Sequence, residues 1–209
     1  MPLYKTIKPN SKTTVYVWDI TEPLDWLLED IPLKEDSLSR ISNMKSEIHQ
    51  RGFVSVRHLL KAAGYTDFDL YYDDEGKPHL KDDKFISITH SFTYSAIIVS
   101  DQEVGIDIEK NRNKITRIAH KFIKYENAYL SYGSSSIVEQ LTIIWGAKES
   151  IYKIDSEDAY SFKDRIAIES FNLNDKQTEG FIIREHSKKY FKLFFEPLIG
   201  FTLVYAFIK

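Results

Sequence analysis

The sequence lacks cysteine altogether, and it has no long apolar run and no strong excess of charge of one sign. The absence of cysteine excludes disulfides and thiolate metal sites. A transmembrane helix needs about 20 consecutive apolar residues, and no stretch of the sequence supplies them. The beginning of the chain shows neither the apolar stretch nor the cleavage site of a signal peptide, so we expect a cytoplasmic protein.

The formal net charge of the 209 residues is -3, so the basic footprint of a nucleic-acid-binding protein is missing. Hydrophobic residues make up 43% of the chain and charged residues 28%, which is typical of a globular protein. The chain is long enough for one large domain or two small ones. We expect no nucleic-acid partner and no membrane partner.

The spacing of apolar residues predicts an α+β protein. Helices are predicted at 44–63, 115–131 and 136–153, with a further one capped by Thr21; strands are predicted at 13–20, 85–89, 94–100, 104–109, 165–169, 181–185, 190–195 and 201–207. The strands at 94–100 and 104–109 are predicted to pair as a hairpin. Because the two halves have a similar layout, we expect two comparable lobes, residues 1–103 and 104–209.

The strand Val-Gly-Ile-Asp-Ile-Glu at 104–109 carries the first candidate site. Side chains alternate along a strand, so Asp107 and Glu109 share a face and lie about 7 Å apart. Two such carboxylates can share a hard divalent cation, and Gly105 on the same face is expected to leave room for a ligand. A solvated strand face, in which isoleucines and acids also alternate, is the other explanation.

Glu149 is the second candidate, because it falls on the apolar stripe of the helix at 136–153. A carboxylate is costly to bury there without a partner or a metal. Lys153 follows one turn later, so a partly exposed Glu–Lys pair is an equally good explanation.

Two weaker signals lie upstream of these acids. The strand near 85–89 ends in a polar cluster of Ser87, Thr89 and His90, and a histidine at a strand end can donate to a phosphate. The tripeptide at 76–78 can hold Lys77 over an anion, but each of these signals alone is more often an ordinary turn.

The order and spacing of four motifs are specific. They are Gly-Lys-Pro at 76–78, Ser-Ile-Thr-His-Ser at 87–91, Val-Gly-Ile-Asp-Ile-Glu-Lys at 104–110 and Trp-Gly-Ala-Lys-Glu-Ser-Ile-Tyr-Lys at 145–153. Together they resemble the 4'-phosphopantetheinyl transferase family, in its longer, monomeric type that activates peptide synthetases. Phe122 with Glu126 matches a further helical signature of that family. Thr89 stands where the family usually has serine.

The resemblance implies a fold of two similar α+β lobes related by pseudo-twofold symmetry, with the active site between them, in a monomer. It implies that Asp107, Glu109 and Glu149 bind Mg²⁺. Glu149 would also be the base for the attacking serine, and Lys153 would assist the departing 3',5'-ADP.

The resemblance also implies the substrates, which are coenzyme A and an apo acyl or peptidyl carrier protein. The candidate coenzyme A ligands are Lys77, Pro78, Ser87, Thr89 and His90, with Lys45, Arg51 and Arg57 available for the 3'-phosphate. The carrier is expected to dock on residues 111–135, whose candidate contacts are Arg112, Lys114, Arg117, Lys121 and Lys124, with Phe122 and Tyr125 among them. A non-catalytic binding module of the same fold and a metal-dependent phosphoesterase are the competing interpretations.

Overall fold

A computed structural model describes residues 3–156 and 161–209. The chain divides into two compact units, Met1–Gln102 and Glu103–Lys209. Each unit combines helices with an antiparallel sheet, so the predicted α+β class is confirmed. No helix among the described residues has the length and apolarity needed to cross a membrane.

The first unit is built on a four-stranded sheet in the order β1-β2-β6-β5, with a separate β3-β4 ribbon. Its elements are β1 (Leu3–Asn10), β2 (Thr13–Asp19), α1 (Leu24–Glu29), α2 (Glu35–Asn43), α3 (Glu47–Ala62), a 3-10 helix (Asp67–Asp69), β3 (Leu70–Tyr72), β4 (Pro78–Leu80), β5 (Phe85–Ser91) and β6 (Tyr94–Ser100). Helix α3 packs on the sheet through a stripe that includes Phe53, Val56 and Leu60. Gly64 ends it with a φ of 88°, a conformation that favours glycine.

The second unit is built on a five-stranded sheet in the order β7-β11-β10-β9-β8. Its elements are β7 (Val104–Lys110), α4 (Lys114–Ile118), 3-10 helices at Ala119–Lys121 and Tyr125–Ala128, α5 (Ile137–Ile154), α6 (Phe162–Arg165), β8 (Ile166–Ile168), a 3-10 helix (Leu173–Asp175), β9 (Gln177–Ile183), β10 (Lys188–Leu198) and β11 (Phe201–Ile208). Helix α5 lies across this sheet and buries Leu141, Ile144 and Ile151 against it.

Two sequence predictions about pairing and helix length are wrong. The strands at 94–100 and 104–109 form no hairpin, because β6 pairs with β2 and β5 whereas β7 pairs with β11. The helix predicted at 115–131 is broken into α4 and two 3-10 turns. Near the break the Glu126 carboxylate accepts a hydrogen bond from the backbone N–H of Lys124 at 3.3 Å, which competes with helical bonding.

Smaller differences concern the ends of the first unit's elements. The helix that was expected to begin at Thr21 begins at Leu24, and Pro23 precedes it without a side-chain cap. Strand β1 and helix α2 were not predicted. Strand β1 alternates between half-buried and exposed residues, but Lys5 lies on the half-buried face and Tyr4 on the exposed one, which hides the apolar pattern by which strands are usually detected.

Candidate active site

Helix α5 and strand β7 meet at two glycines. A Cβ on Gly105 would overlap the backbone carbonyl oxygen of Ser150. A Cβ on Gly146 would lie 2.9 Å from Cγ2 of Val204 and 3.5 Å from Oδ2 of Asp107. The space at Gly105 is therefore filled by the helix backbone, which corrects the expectation that this glycine leaves room for a ligand. Both glycines let the helix approach the sheet closely.

Lys153 joins the last turn of α5 to strand β7. Its Nζ donates hydrogen bonds to the carbonyl oxygen of Ile106 at 2.7 Å and to Oδ1 of Asp107 at 3.1 Å. The Asp107 side chain is only 9% exposed, so the nearby ammonium offsets part of the cost of removing this carboxylate from water. The sequence predicted Lys153 beside Glu149, and the structure adds its contact with Asp107.

Glu149 is half-buried on α5, on the side of the helix near these groups. The pKa of Glu149 is raised from 4.5 to about 7. Burial is the largest cause and the charge of Asp107 the next, Lys153 opposes the shift, and Glu109 adds a smaller increase. A carboxyl group with a pKa near neutrality is well matched to accept and return a proton. These electrostatic effects also place the three predicted acids in one neighbourhood.

Among residues 3–156 and 161–209, no three acidic or histidine side chains form a group that could hold a metal ion. Mg²⁺, however, usually takes one or two carboxylates and completes its shell with water and substrate phosphates. Asp107, Glu109 and Glu149 offer hard oxygen ligands of that kind, and a divalent cation would offset both the burial and the repulsion among the acids that raise the pKa of Glu149. The chemistry of these donors therefore fits Mg²⁺.

A fully buried ion pair supports α5 next to Glu149. Lys148 Nζ lies 2.9 Å from Oε1 of Glu126, and neither side chain is exposed. Lys148 also donates to the carbonyl oxygen of Phe122 at 2.6 Å, and Glu126 accepts from the backbone N–H of Ile168 at 3.0 Å. Burial lowers the pKa of the lysine, and Glu126 opposes that shift. The pair ties α5 to the preceding 3-10 segment and to β8.

Lys148 and Glu126 lie in the sequence motifs, but the motifs alone predict no role for either residue. The most buried stripe of α5 contains Leu141, Ile144 and Ile151, and Lys148 lies on it. This stripe is rotated from the predicted one, so the buried charge at its centre is the lysine, and Glu149 is only half-buried. The spacing does contain a signal: Lys148 lies four residues after Ile144 and three before Ile151, which places it on the buried stripe, where a charge needs a partner.

In the first unit, Lys77 sits in a closed loop before β4. Gly76 takes a φ of 83°, and Oδ1 of Asp73 accepts hydrogen bonds from the backbone N–H groups of Glu75 at 3.0 Å and Lys77 at 2.8 Å. Pro78 is the first residue of β4, where it fits because a strand's first residue can lack an N–H donor. The loop is therefore an ordered turn that presents Lys77.

Strand β5 separates its predicted ligands onto two faces. Ser87 and Thr89 share one face and are buried, whereas His90 points to the other and is exposed. The His90 ring lies against α3, because a Cβ on Gly52 would be 3.0 Å from its Nδ1. His90 is thus next to the part of α3 that begins with Arg51, while the two hydroxyl residues face away from it.

The three upstream cations differ in their surroundings. Arg57 is buried, donates from Nε to Oδ1 of Asp67 at 2.9 Å, and its guanidinium lies 3.5 Å from the centre of the Phe53 ring. Its guanidinium is held inside the first unit by Asp67 and Phe53, which removes Arg57 from the candidates for binding the 3'-phosphate. Arg51 is half-buried and Lys45 is exposed.

Comparison with known proteins shows the family of this chain. Residues 103–198 match the family model of the 4'-phosphopantetheinyl transferase superfamily. The 4'-phosphopantetheinyl transferase gsp of Aneurinibacillus migulanus is 31% identical over 163 residues, which are 75% of this chain and 66% of that protein. The chain belongs to the 4'-phosphopantetheinyl transferase superfamily.

Two further superfamily relatives are similar over a shorter region. Enterobactin synthase component D of Salmonella austin is 29% identical over 141 residues, and that of Salmonella typhimurium is 29% identical over 140 residues. Each match covers 66% of this chain. The chain spans only 56% of the length of these two relatives and 66% of the Aneurinibacillus protein.

In this superfamily member, the segment 111–135 presents the predicted cations at its surface. All five are exposed: Arg112, Lys114, Arg117, Lys121 and Lys124. Lys124 pairs with Asp164 at 2.8 Å, and Tyr125 is 44% exposed. Phe122 is fully buried and packs edge-on against Trp145, so its expected part in a docking surface is replaced by a part in the core.

Proposed function

We propose that this protein transfers the 4'-phosphopantetheine arm of coenzyme A to a serine of an apo acyl or peptidyl carrier protein and releases 3',5'-ADP. The observation that carries the proposal is the cluster of Asp107, Lys153 and Glu149, in which the Lys153 ammonium bonds Asp107 at 3.1 Å and the charges of both residues act on Glu149. The cluster lies within the region that matches the superfamily. A relative that bears the transferase name supports the same activity.

The reaction is a phosphoryl transfer, in which catalysis depends on positioning and on neutralising charge. The serine oxygen forms a bond to the β-phosphorus of coenzyme A, and the bond from that phosphorus to the oxygen of 3',5'-ADP breaks. Glu149 takes the serine proton, and the Lys153 ammonium stabilises the charge on the leaving group. Mg²⁺, held by Asp107, Glu109 and Glu149, would neutralise the pyrophosphate when bound.

We assign the nucleotide end of coenzyme A to residues of the first unit. His90 and Arg51 are the leading candidates, because the His90 ring lies against Gly52, the neighbour of Arg51 on α3. The half-buried Arg51 also donates from Nη2 to the carbonyl oxygen of Ile20 at 2.7 Å, which holds it in place. Lys77 and Pro78 contribute the ordered turn, and Lys45 is an exposed cation near the start of α3. Ser87 and Thr89 would contribute hydroxyl groups from the face of β5 opposite to His90.

Four further parts of the sequence prediction remain proposals. They are the lobes 1–103 and 104–209, their pseudo-twofold symmetry, the monomeric state and the cytoplasmic location. Each unit separately has a main antiparallel sheet, of four strands in the first and five in the second, and one long helix, α3 or α5; this common layout supports the proposed symmetry.

Product analysis tests the proposed activity. Coenzyme A and Mg²⁺ are incubated with the protein, with and without an apo carrier protein, and nucleotides are separated by chromatography. Release of 3',5'-ADP only when the carrier is present is the expected result. Release without a carrier would indicate a phosphoesterase, and binding of coenzyme A without any release would indicate a binding module; either outcome contradicts the proposal.

A further inference from the structure

Asp155 lies directly after α5, two residues beyond Lys153, and its side chain is only 2% exposed. One of its oxygens, Oδ2, accepts hydrogen bonds from Nη2 of Arg184 at 2.8 Å and from Nζ of Lys189 at 2.7 Å. A buried carboxylate is retained at low cost only when such partners hold it in good geometry. Two cations on one oxygen therefore mark a fixed anchor.

One cation lies in the turn that joins β9 and β10, and the other lies at the start of β10. Arg184 follows β9 directly and closes the turn by donating its backbone N–H to the carbonyl oxygen of Ser187 at 2.9 Å. Lys189 is the second residue of β10. Asp155 thus fastens the end of α5 to this turn.

The anchor completes a ring of contacts around the candidate active site. From the turn, β10 pairs with β11, and β11 pairs with β7, the strand that carries Asp107. From Asp155, the last turn of α5 leads back to Lys153, whose Nζ bonds Ile106 and Asp107 on the same strand. Lys153 is therefore held from both sides: its ammonium bonds β7, and the helix end that carries it is fixed through Asp155 to the turn before β10 of the same sheet.

We propose that Asp155 is a positioning residue that holds the Lys153 ammonium on Asp107 by fixing the end of α5 to the β9–β10 turn. This inference rests on the proposed function, because Lys153 matters to turnover only if the transferase chemistry takes place there. The last turn of a helix frays unless its end is held, and a lysine has a long flexible side chain. Without the anchor, the ammonium spends less time in the position that meets the leaving group.

The test compares Asp155→Asn, Lys189→Met and Lys189→Arg with the unaltered protein. Misplacing a catalytic group by about 1 Å can cost roughly a hundredfold in rate, so we expect kcat to fall roughly tenfold to a hundredfold in Asp155→Asn. The KM values for coenzyme A and carrier should change little. Lys189→Met should also lose kcat, and Lys189→Arg, which keeps the charge, should restore it.

Amide hydrogen exchange at Lys153 and Ile154 provides a readout that does not depend on activity. Exchange there should accelerate in Asp155→Asn and Lys189→Met, but not in Glu179→Gln, which removes an exposed ion pair with Lys209 on the same sheet. Unchanged exchange, or unchanged kcat with accelerated exchange, would overturn the inference. If Asp155→Asn does not fold, the two Lys189 variants decide it, because Lys189 is 29% exposed.

Failure of the proposed function has a different signature. The unaltered protein would then modify no carrier, although exchange at the end of α5 would still respond to Asp155→Asn. In that case Asp155 still anchors the end of the helix, but both the transfer reaction and the proposed effect of Asp155 on it are refuted.

Discussion

The backbone carbonyl of Ser150 occupies the place where a side chain on Gly105 would begin. Gly105→Ala must therefore push α5 away from β7 or distort both. Overpacking usually costs about 1–3 kcal/mol, and here the obstacle is backbone, so we expect a loss at the upper end of that range or beyond. Urea unfolding measures it. Gly133→Ala is the control, because a Cβ there meets nothing within 4 Å. Equal stability of the two variants would contradict the close approach.

The buried pair of Lys148 and Glu126 gives a second prediction. Lys148→Met leaves a buried carboxylate uncompensated, which typically costs about 3–5 kcal/mol. The double variant Lys148→Met, Glu126→Leu should recover part of this loss, since it removes both charges. Asp164→Asn breaks the exposed pair with Lys124 and should cost less than about 1 kcal/mol. A double variant less stable than Lys148→Met would show that the charges do not compensate each other.

Glu149 should make the metal-free protein less stable as the pH rises. Its pKa in the folded protein is about 7, above the ordinary 4.5, so the folded state holds the proton more tightly than the unfolded state. The stability is therefore fully present below about pH 4.5 and is lost as the pH rises through about 7. After allowance for solvent screening of this half-buried group, we expect a change of about 1–2 kcal/mol.

The measurement is the difference in unfolding free energy between the unaltered protein and Glu149→Gln in the presence of a chelator. This difference should slope downward between about pH 4.5 and 7 and be flat outside that interval. A slope of the opposite sign would mean that the carboxylate form is favoured in the folded protein.

The exposed cations of residues 111–135 predict how the carrier binds. Reversing the charge of Lys114 and Arg117 should raise the KM for an acidic carrier several-fold and leave the KM for coenzyme A nearly unchanged, because the surface charges guide only the carrier. The effect should weaken with added salt. Charge reversal of Lys8, an exposed lysine on β1, is the matched control. Equal changes in both KM values would place these cations at the coenzyme A site instead.

The sequence predicted the long helices and the central strands because their apolar residues recur at regular spacing. It did not predict strand partners, since periodicity carries no information on which strand lies next to β7. It also misjudged Gly105 and Arg57, whose roles depend on what packs against them. The buried neighbours Ser150 and Asp67 lie 45 and 10 residues away along the chain.

The same limit applies to the candidate site. Asp107, Glu149 and Lys153 were found from motif spacing, and the structure brings them together as neighbours. Asp155 was not found, because nothing in the local sequence links it to Arg184 and Lys189, which lie 29 and 34 residues further on. Such contacts depend on the tertiary structure, because only the folded sheet brings the β9–β10 turn next to the end of α5.

The mass of an apo carrier protein after incubation with coenzyme A and Mg²⁺ tests the central claim most directly. The unaltered protein should add one phosphopantetheine unit to the carrier serine. Glu149→Gln should add none while still binding coenzyme A if this residue acts as the base, and should lose that binding if it acts only as a metal ligand. No gain in mass with the unaltered protein across several unrelated carriers would contradict the account.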